Sequence, residues 1–374
     1  GRLTMFRVFT GKMKADSVIY NANKEKEEKI AQLLIMTGKE QATVPELYAG
    51  DIAAVAKLSV TATGDSLTVK SNPIVIEPIE FPEPTLSMAI EPKSKGDEDK
   101  LSGAIQRLLE EDPTIRIEKN TETRQTIMKS MGDTHVDIVI EKLSRKFGVD
   151  VVSKEMRIPY RETIRGTVEA EGKHKKQTGG HGQYGHVWIK FEPTEDGQFV
   201  FEEKVFGGSV PRNYFPAVEK GLIEAMEEGV LAGYPVTNLK ATLYDGSYHS
   251  VDSSEMAFKM AARLAYRKGL EAAKPVLLEP IVNVEIEVPE TYMGDIIGDM
   301  NSKRGRVMGM EPAGRKQIIK AQAPQAEMAR YTIDLKSMTQ GRGKFRMEFS
   351  HYEEVPAQIA EKIIEKARQE KEEK

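Results

Sequence analysis

Apolar and polar residues alternate in short runs through the first 80 residues of the chain. The runs are RLTMFRVF, SVIYNA, KIAQLLIM and AGDIAAVAKL, with turn residues such as Gly11 between them. Short strands at this regular spacing are typical of a small β-barrel. The segment EPIEFPEPT follows with three prolines, which favour a linker without regular structure.

The hydrophobic period then lengthens to that of helices. Residues 85–152 predict the order strand, helix, strand, strand, helix, strand. The two helices carry apolar stripes at Leu101, Ile105, Leu108 and Leu109, and at Val136, Ile140, Leu143 and Phe147. The same order recurs from about residue 280, with helices expected over 294–300 and 325–338. Two βαββαβ units are therefore predicted on either side of a middle region.

Neither βαββαβ unit has the aromatic residues of an RNA-stacking platform. In RNA-recognition modules of this fold the third strand carries exposed aromatics, but the third strands here are RQTIMKS and KQIIKAQA. We therefore expect these units to serve as scaffolds, or as surfaces for protein and for RNA backbone.

The middle region contains the stretch GGHGQYG, Gly179 to Gly185, which includes the pattern G-x-G-x-x-G. A dinucleotide-binding loop of this pattern must follow a strand and begin a helix, whose N-terminus receives the pyrophosphate. The residues that follow instead alternate, with Val187, Ile189 and Phe191 on one face, so they predict a strand. The glycines are therefore interpreted as the tip of a long hairpin, flanked by Lys173, Lys175 and Lys176.

Two helices are predicted later in the middle region. The second of them begins with an apparent N-capping pair, Asp252 and Glu255, directly after the segment GSYHSV. The apolar stripes consist of Phe215, Val218, Leu222, Ile223 and Met226 in the first helix, and of Phe258, Ala261 and Leu264 in the second. A last helix is predicted from Ala357, and its Ile359, Ile363 and Ile364 need a surface to pack on.

Composition and charge narrow the possible functions. The net charge of −4 means that any contact with RNA must come from local basic patches. The chain has no cysteine, which excludes disulfides, thiolate zinc sites and thiol nucleophiles. No apolar run approaches the ~20 residues of a membrane span and GRLTMFRVFTGK is not a signal peptide, so a cytoplasmic protein is expected. Because the sequence enters directly into a strand pattern without an initiator Met, we also expect it to be part of a larger protein.

With these landmarks in order, the chain closely resembles the C-terminal part of bacterial elongation factor G, the ribosomal translocase, over essentially its whole length. The matching segments are AGDIAAV, FPEPTLSMAIEPK, YRETIRGTVEAEGKHKKQTGGHGQYGHV, LAGYPV, GSYHSVDSSEMAFKMA, KPVLLEPI and GDIIGDMNSKRGRV. The resemblance implies a multidomain α+β fold of five parts: a truncated β-barrel (domain II, 1–80), a ferredoxin-like domain III (81–155), an elongated α/β domain IV with the fold of a small-subunit ribosomal protein (156–279), a second ferredoxin-like domain V (280–352), and a C-terminal helix (353–374) that packs on domain IV.

The resemblance also implies where RNA is bound. In this family two loops build the tip of domain IV, which enters the ribosomal decoding centre during translocation. The matching positions are Gly179, Gly180, His181, Gly182, Gln183 and Tyr184 in the first loop, and His249 and Ser250 in the second, with Lys173, Lys175 and Lys176 adding local positive charge. Glycine lets backbone amides approach phosphates, and the Gln, Tyr and His side chains suit stacking on bases or bonding to their edges.

In the family domain IV is an elongated arm, and our hypothesis is that it acts sterically, occupying the vacated A site so that tRNA and mRNA cannot slip back. In domain V, Lys303, Arg304 and Arg306 would face large-subunit RNA near the sarcin-ricin loop and the stalk base. A plainer interpretation of these three cations is a charge complement to a helix C-terminus. The implied partners are ribosomal RNA, tRNA, mRNA and stalk-base proteins, with no membrane, and the protein is expected to be a monomer.

The sequence contains no motif for nucleotide binding and hydrolysis. A P-loop needs G-x-x-x-x-G-K-[ST], but the nearest strings are Gly11-Lys12-Met13 and Gly343-Lys344-Phe345. The pair Asn23-Lys24 also lacks the aspartate, two residues on, that reads guanine in these GTPases. The chain is therefore predicted not to be an enzyme and to hold no cofactor or metal, whereas a full-length relative would bind GTP and magnesium and hydrolyse GTP.

Other chemistry is less well supported by the residue pattern. His174, His181, His186 and His249 suggest zinc, but the absence of cysteine, of HExxH and of a helical i, i+4 histidine pair favours an adventitious ion. His249, Ser250 and Asp252 are too close in sequence for triad geometry. Domain III has the string GDTHV where the family usually has Gly-Glu-Leu-His-Leu, and His181 and Ser250 also depart from the usual residues. A specialised paralogue acting in ribosome recycling or ribosome protection is therefore the alternative function.

Overall fold

A computed structural model of the chain describes residues 2–176, 182–195 and 197–372. The chain groups into two units, one of Gly1–Pro84, Ile90–Glu118 and Met128–Ser153, and one of Thr85–Ala89, Lys119–Ile127 and Lys154–Lys374. Of the helices that the structure describes, none is both long enough and apolar enough to cross a membrane.

The N-terminal segment consists of short strands in three open sheets. The strands are β1 (Leu3–Arg7), β2 (Lys12–Lys14), β3 (Ser17–Asn21), β4 (Lys26–Ile30), β5 (Leu33–Thr37), β6 (Glu40–Val44), β7 (Glu46–Tyr48), β8 (Ile52–Ala56) and β9 (Leu67–Thr68). The sheet orders are β1-β8-β5-β6, β2-β7 and β4-β3-β9. The strand character is confirmed, but the described residues do not close into a barrel. The predicted linker is confirmed, because residues 73–85 have no regular structure.

The first βαββαβ unit is confirmed. Its elements are β10 (Leu86–Pro92), α1 (Lys95–Glu111), β11 (Arg116–Asn120), β12 (Gln125–Ser130), α2 (Asp133–Phe147) and β13 (Val151–Lys154). The strand order β11-β12-β10-β13 is the ferredoxin-like order. Helix α1 begins at the N-cap Ser94, whose side chain accepts a hydrogen bond from Asp97 N, and α2 ends at Gly148 in the left-handed region, with φ of 62°.

The middle region is a sheet with helices on one face. Its elements are β14 (Arg161–Ile164), β15 (Val168–Lys176), β16 (Gln183–Pro193), β17 (Phe199–Glu203), a 3-10 turn (Arg212–Tyr214), α3 (Phe215–Met226), β18 (Leu239–Ser247) and α4 (Glu255–Ala272). The sheet order is β15-β16-β18-β17, with β17 parallel to β18. The predicted alternation in β16 is confirmed, because Val187, Ile189 and Phe191 are all fully buried in the core.

Two predicted core positions of these helices were wrong. Ile223 and Leu264 are 46% and 44% exposed. The helices instead bury small residues where they meet, since a Cβ at Gly221 would lie 2.7 Å from the carbonyl oxygen of Lys259. Helices that approach this closely place glycine and alanine at the contact, and the larger apolar residues beside it remain outside.

The C-terminal part repeats the ferredoxin-like arrangement. Its elements are β19 (Pro275–Pro289), a 3-10 turn (Glu290–Tyr292), α5 (Met293–Ser302), β20 (Arg306–Ala313), β21 (Lys316–Pro324), a 3-10 turn (Gln325–Met328), α6 (Tyr331–Met338), β22 (Lys344–Glu354) and α7 (Ala357–Glu372). Strand β19 pairs with β22 on one side, and with β14 and then β21 on the other. The helix predicted over 325–338 is divided into a 3-10 turn and α6.

The apolar stripe of the last helix is partly covered, since Ile359, Ile363 and Ile364 are half-buried. Burial raises the pKa of the Tyr234 phenol in the middle region, and the carboxylate of Glu370 in α7 raises it further. The packing of α7 on domain IV stays a prediction.

A buried carboxylate ties β14 to the segment that precedes β18. Glu162 has no exposed surface, and its two oxygens accept hydrogen bonds from five successive backbone N–H groups at 2.6–3.0 Å. The donors are Val230, Leu231, Ala232, Gly233 and Tyr234. A buried carboxylate is stable only when its oxygens are satisfied in this way, so this contact fixes the base of the middle region.

Helix α4 lies directly on the backbone of the β15–β16 hairpin. An added Cβ at Gly172 would lie 1.9 Å from the carbonyl oxygen of Ala261, and one at Gly185 would lie 2.3 Å from that of Ala257. Only glycine fits at either position, because the neighbouring atoms belong to helix backbone that cannot move without unwinding. The hairpin and the N-terminal half of α4 are therefore held as one unit.

We expect Gly172→Ala to lower the free energy of unfolding by about 2 to 3 kcal/mol, because the new methyl group overlaps the backbone of α4. The control is Gly298→Ala in α5, where an added Cβ meets nothing within 4 Å. That change should be neutral or stabilising by up to about 1 kcal/mol. Urea unfolding followed by circular dichroism measures both, and equal effects of the two changes would contradict the proposed close approach.

Candidate nucleic-acid interface

The two predicted tip loops lie at the end of the hairpin and immediately before α4. Strands β15 and β16 stay in register up to the pair Lys176 and Gln183, so the first loop is the connection between them. Gly179, Gly180 and His181 lie outside the described residues. The remaining predicted positions of the first loop, Gly182, Gln183 and Tyr184, are described.

Backbone and side-chain hydrogen bonds join the two loops. Gly182 N donates to Asp252 Oδ1 at 3.0 Å, and Tyr184 N donates to the carbonyl oxygen of Asp252 at 2.8 Å. The Ser253 hydroxyl donates to the carbonyl oxygen of Tyr184 at 2.9 Å. A Cβ at Gly182 would lie 2.9 Å from the Asp252 carboxyl carbon, which leaves no room for a side chain. The loops are therefore neighbours that move together.

Asp252 was predicted to cap the following helix, and this was wrong. The N-cap of α4 is Ser254, whose hydroxyl accepts a hydrogen bond from Ala257 N at 3.2 Å. Asp252 instead uses its carboxylate to hold the first loop. Asp and Ser are both strong N-cap residues, so the local sequence did not distinguish them.

Tyr184 belongs to a chain of hydrogen bonds on the open face of the sheet. Its hydroxyl lies 2.7 Å from the Ser247 hydroxyl, which lies 2.7 Å from His186 Nδ1. His186 Nε2 lies 3.0 Å from Glu171 Oε1. A carboxylate only accepts, so with a neutral ring the chain has one consistent direction: His186 donates to Glu171, Ser247 to His186, and Tyr184 to Ser247. The Tyr184 hydroxyl thus holds the hairpin against the second loop.

His249 presents its ring to solvent from the second loop. Its side chain is 55% exposed, and its Nδ1 accepts hydrogen bonds from Val251 N at 3.3 Å and Asp252 N at 3.2 Å. The same Nδ1 lies 3.4 Å from Asp252 Oδ2. In the neutral tautomer in which Nδ1 accepts both N–H groups, the proton lies on Nε2, on the side of the ring away from these bonds. Ser250 is also exposed.

The lysines at the end of the hairpin form a local positive patch. Lys173, Lys175 and Lys176 are exposed, and no carboxylate among the described residues lies within ion-pair distance of any of them. Between them, His174 is buried and its Nε2 lies 2.9 Å from Gln183 Oε1. That contact occupies the acceptor of the Gln183 amide and leaves its N–H donors for a ligand.

The predicted basic corner of domain V is largely neutralised from within. Lys303 Nζ lies 2.8 Å from Asp334 Oδ2, and Arg304 forms a bidentate pair with the buried Glu279 at 2.6 and 2.9 Å. Burial alone would lower the pKa of Lys303, but its ion pairs raise it above the ordinary value. Arg306 pairs with Glu353 and keeps 66% of its side chain exposed. Of the three, only Arg306 presents most of its charge to solvent.

Potential metal-ligating side chains are not clustered in the described part of the chain. No group of three or more His, Asp or Glu side chains among them is arranged to hold a metal ion. His174 and His186 are each committed to partners inside the sheet. Ser247 and Glu171, which orient the tip, were missed from the sequence because neither belongs to a recognisable motif.

Sequence models of elongation factor G match four successive segments of the chain. Domain 2 matches residues 1–70, domain III residues 81–155, domain IV residues 156–274 and the C-terminus residues 276–363. A crystal structure of a protein from Thermus thermophilus is similar to 99% of this chain, with 38% sequence identity and a TM-score of 0.82. The chain spans 56% of the length of that protein. The chain belongs to the elongation factor G family, and the candidate tip lies within its domain IV match.

We expect Asp252→Ala to loosen the junction of the two loops without unfolding the domain. The backbone N–H of Gly182 loses its acceptor, which costs on the order of 1 kcal/mol locally and should speed its amide exchange about five-fold. The control is Ser254→Ala, which removes the N-cap of α4 but leaves the Gly182 contact intact. Hydrogen exchange measured by mass spectrometry on both loops distinguishes the two; unchanged exchange at Gly182 in Asp252→Ala would show that the carboxylate does not hold the loop.

Proposed function

We propose that this chain is the ribosome-binding part of a translocation factor, and that the joined tip loops of domain IV contact RNA in the decoding centre. The observation that carries the proposal is the exposed His249 ring, on a loop bonded to a hairpin that ends in three lysines without a carboxylate partner among the described residues. Fixed donors and a local positive field suit phosphate and base edges. The family match supports a role in translation.

The tip is proposed to act as a steric stop. It would enter the vacated A site and prevent tRNA and mRNA from slipping back, so its contribution depends on shape and position. The close contact of α4 with the hairpin supports this role, because a stop must resist displacement. The contacts of His249 also fit it, since both bonds to Nδ1 hold the ring in place for binding.

The proposed partners follow from the same role. They are ribosomal RNA, tRNA and mRNA at the tip, and large-subunit RNA with stalk-base proteins at domain V, where Arg306 is the best-exposed cation of its corner. The protein would act in the cytoplasm as a monomer. GTP and magnesium would be bound by a separate GTPase domain of the complete factor, and this chain itself would not be an enzyme.

We expect binding of the chain to intact ribosomes to depend on the lysine patch. Replacing Lys173, Lys175 and Lys176 with Gln removes three phosphate contacts and should reduce the slope of log affinity against log salt by about 2 to 3. The matched control replaces three exposed lysines of the N-terminal segment, Lys24, Lys26 and Lys39, with Gln. Sedimentation binding assays over a range of salt concentrations measure both, and equal slope changes would refute the assignment to the tip.

Translocation is tested by His249→Ala in the complete factor that contains this chain. We expect mRNA movement, followed by toeprinting, to slow by about ten-fold, which corresponds to about 1.4 kcal/mol of lost stabilisation. GTP turnover on the ribosome should stay unchanged, because the tip is proposed to take no part in hydrolysis. Equal loss of both activities would count against a steric role.

A further inference from the structure

A third segment of domain IV lies beside the second tip loop. Residues 204–214 connect β17 to α3, and both ends are attached to the flanks of that loop. At one end Lys204 N donates to the carbonyl oxygen of Leu243 at 2.8 Å. At the other end the Tyr214 hydroxyl donates to the carbonyl oxygen of Ser253 at 3.3 Å. The segment therefore brackets the loop on the side away from the hairpin.

A buried anchor holds the middle of this segment against the tip. Val210 is 1% exposed, and its Cγ2 would lie 2.5 Å from a Cβ added at Gly246, the residue at which the second tip loop begins. Tyr214 stacks on Phe258 of α4 with ring centroids 4.5 Å apart. These contacts fix the part that precedes Val210 at the tip end of the sheet.

Phe206 projects from this segment into solvent. Its side chain is 92% exposed, whereas the neighbouring Val205 packs against the core. Gly207 and Gly208 follow in the left-handed region, with φ of 68° and 72°, and nothing lies within 4 Å of a Cβ added at either. Two open glycines after the aromatic residue leave the ring accessible from above and beside it.

The polar surroundings favour a flat neutral ligand. Arg212 is exposed and has no ion-pair partner among the described residues, so one cation lies close in sequence to the ring. Asp245 lies on β18 between the two attachment points, and the hydrogen bond from Gly246 N keeps its pKa below the ordinary value. Along the segment the exposed neighbours of Phe206 are Lys204, Gly207 and Gly208, so residues 204–214 expose one apolar ring and not a run of apolar side chains.

We propose that Phe206 stacks on an unpaired RNA base, and that residues 204–214 form a third RNA-contacting segment of the tip. This inference rests on the proposed function, since it needs RNA at the two loops already described. An exposed aromatic ring is a common platform for single-stranded bases, because every base offers a flat face.

The test uses the full chain and intact ribosomes carrying tRNA and mRNA. Phe206→Ala should weaken binding about ten-fold, with the slope of log affinity against log salt unchanged, because stacking releases no counterions. Phe206→Trp should restore binding. The control is Phe349→Ala, which removes a 58% exposed ring from β22 in domain V and should leave binding unchanged. Thermal unfolding of the two Phe206 variants should match that of the unaltered chain, since this ring is exposed.

A photo-crosslinking residue at position 206 identifies the partner. Crosslinks to ribosomal RNA, tRNA or mRNA support the proposal, whereas crosslinks only to ribosomal protein, or none, overturn it. Unchanged affinity of Phe206→Ala also overturns it. If the lysine-patch variant loses binding while Phe206→Ala does not, only this inference fails. If neither change affects binding, the proposed function fails with it.

Discussion

The position of both tip loops follows from the contact between α4 and the backbone of the β15–β16 hairpin. Gly172 and Gly185 let the helix approach until its carbonyl groups lie where side chains would otherwise be. The first loop ends the hairpin and the second leads into α4, so one contact places both. The hydrogen bonds from Gly182 and Tyr184 to Asp252 then set the final position of one loop against the other.

Much of this arrangement could be predicted from local sequence patterns, and the failures share one cause. The alternation at Val187, Ile189 and Phe191 predicted β16, because a strand with one buried face shows its pattern within a few consecutive residues. The misassigned residues have roles that depend on residues distant in sequence. Asp252 binds the N–H of Gly182. Ile223 and Leu264 stay outside the core because small residues let α3 and α4 approach closely. The meeting of the two loops was expected only from the family resemblance.

Charge is distributed so that a weakly acidic chain can still present a basic end. At the tip, Lys173, Lys175 and Lys176 have no described carboxylate partner. In domain V, by contrast, Glu279 and Asp334 neutralise Arg304 and Lys303, which hold the corner between α5 and β20. The segment GDMNSKRGRV therefore presents less positive charge to solvent than its number of cations indicates. Counting cations in a motif therefore overestimates the field that a ligand meets, because a cation paired with a carboxylate adds little net charge.

Glu162 affects the order in which domain IV can fold. Its donors lie 68 to 72 residues further along the chain, whereas the β15–β16 hairpin pairs residues within one continuous stretch. The entropy lost on loop closure grows with the length of the loop, so the distant contact forms late. During synthesis the carboxylate stays hydrated until Tyr234 has left the ribosome, and the β15–β16 hairpin is therefore expected to pair before this distant contact forms.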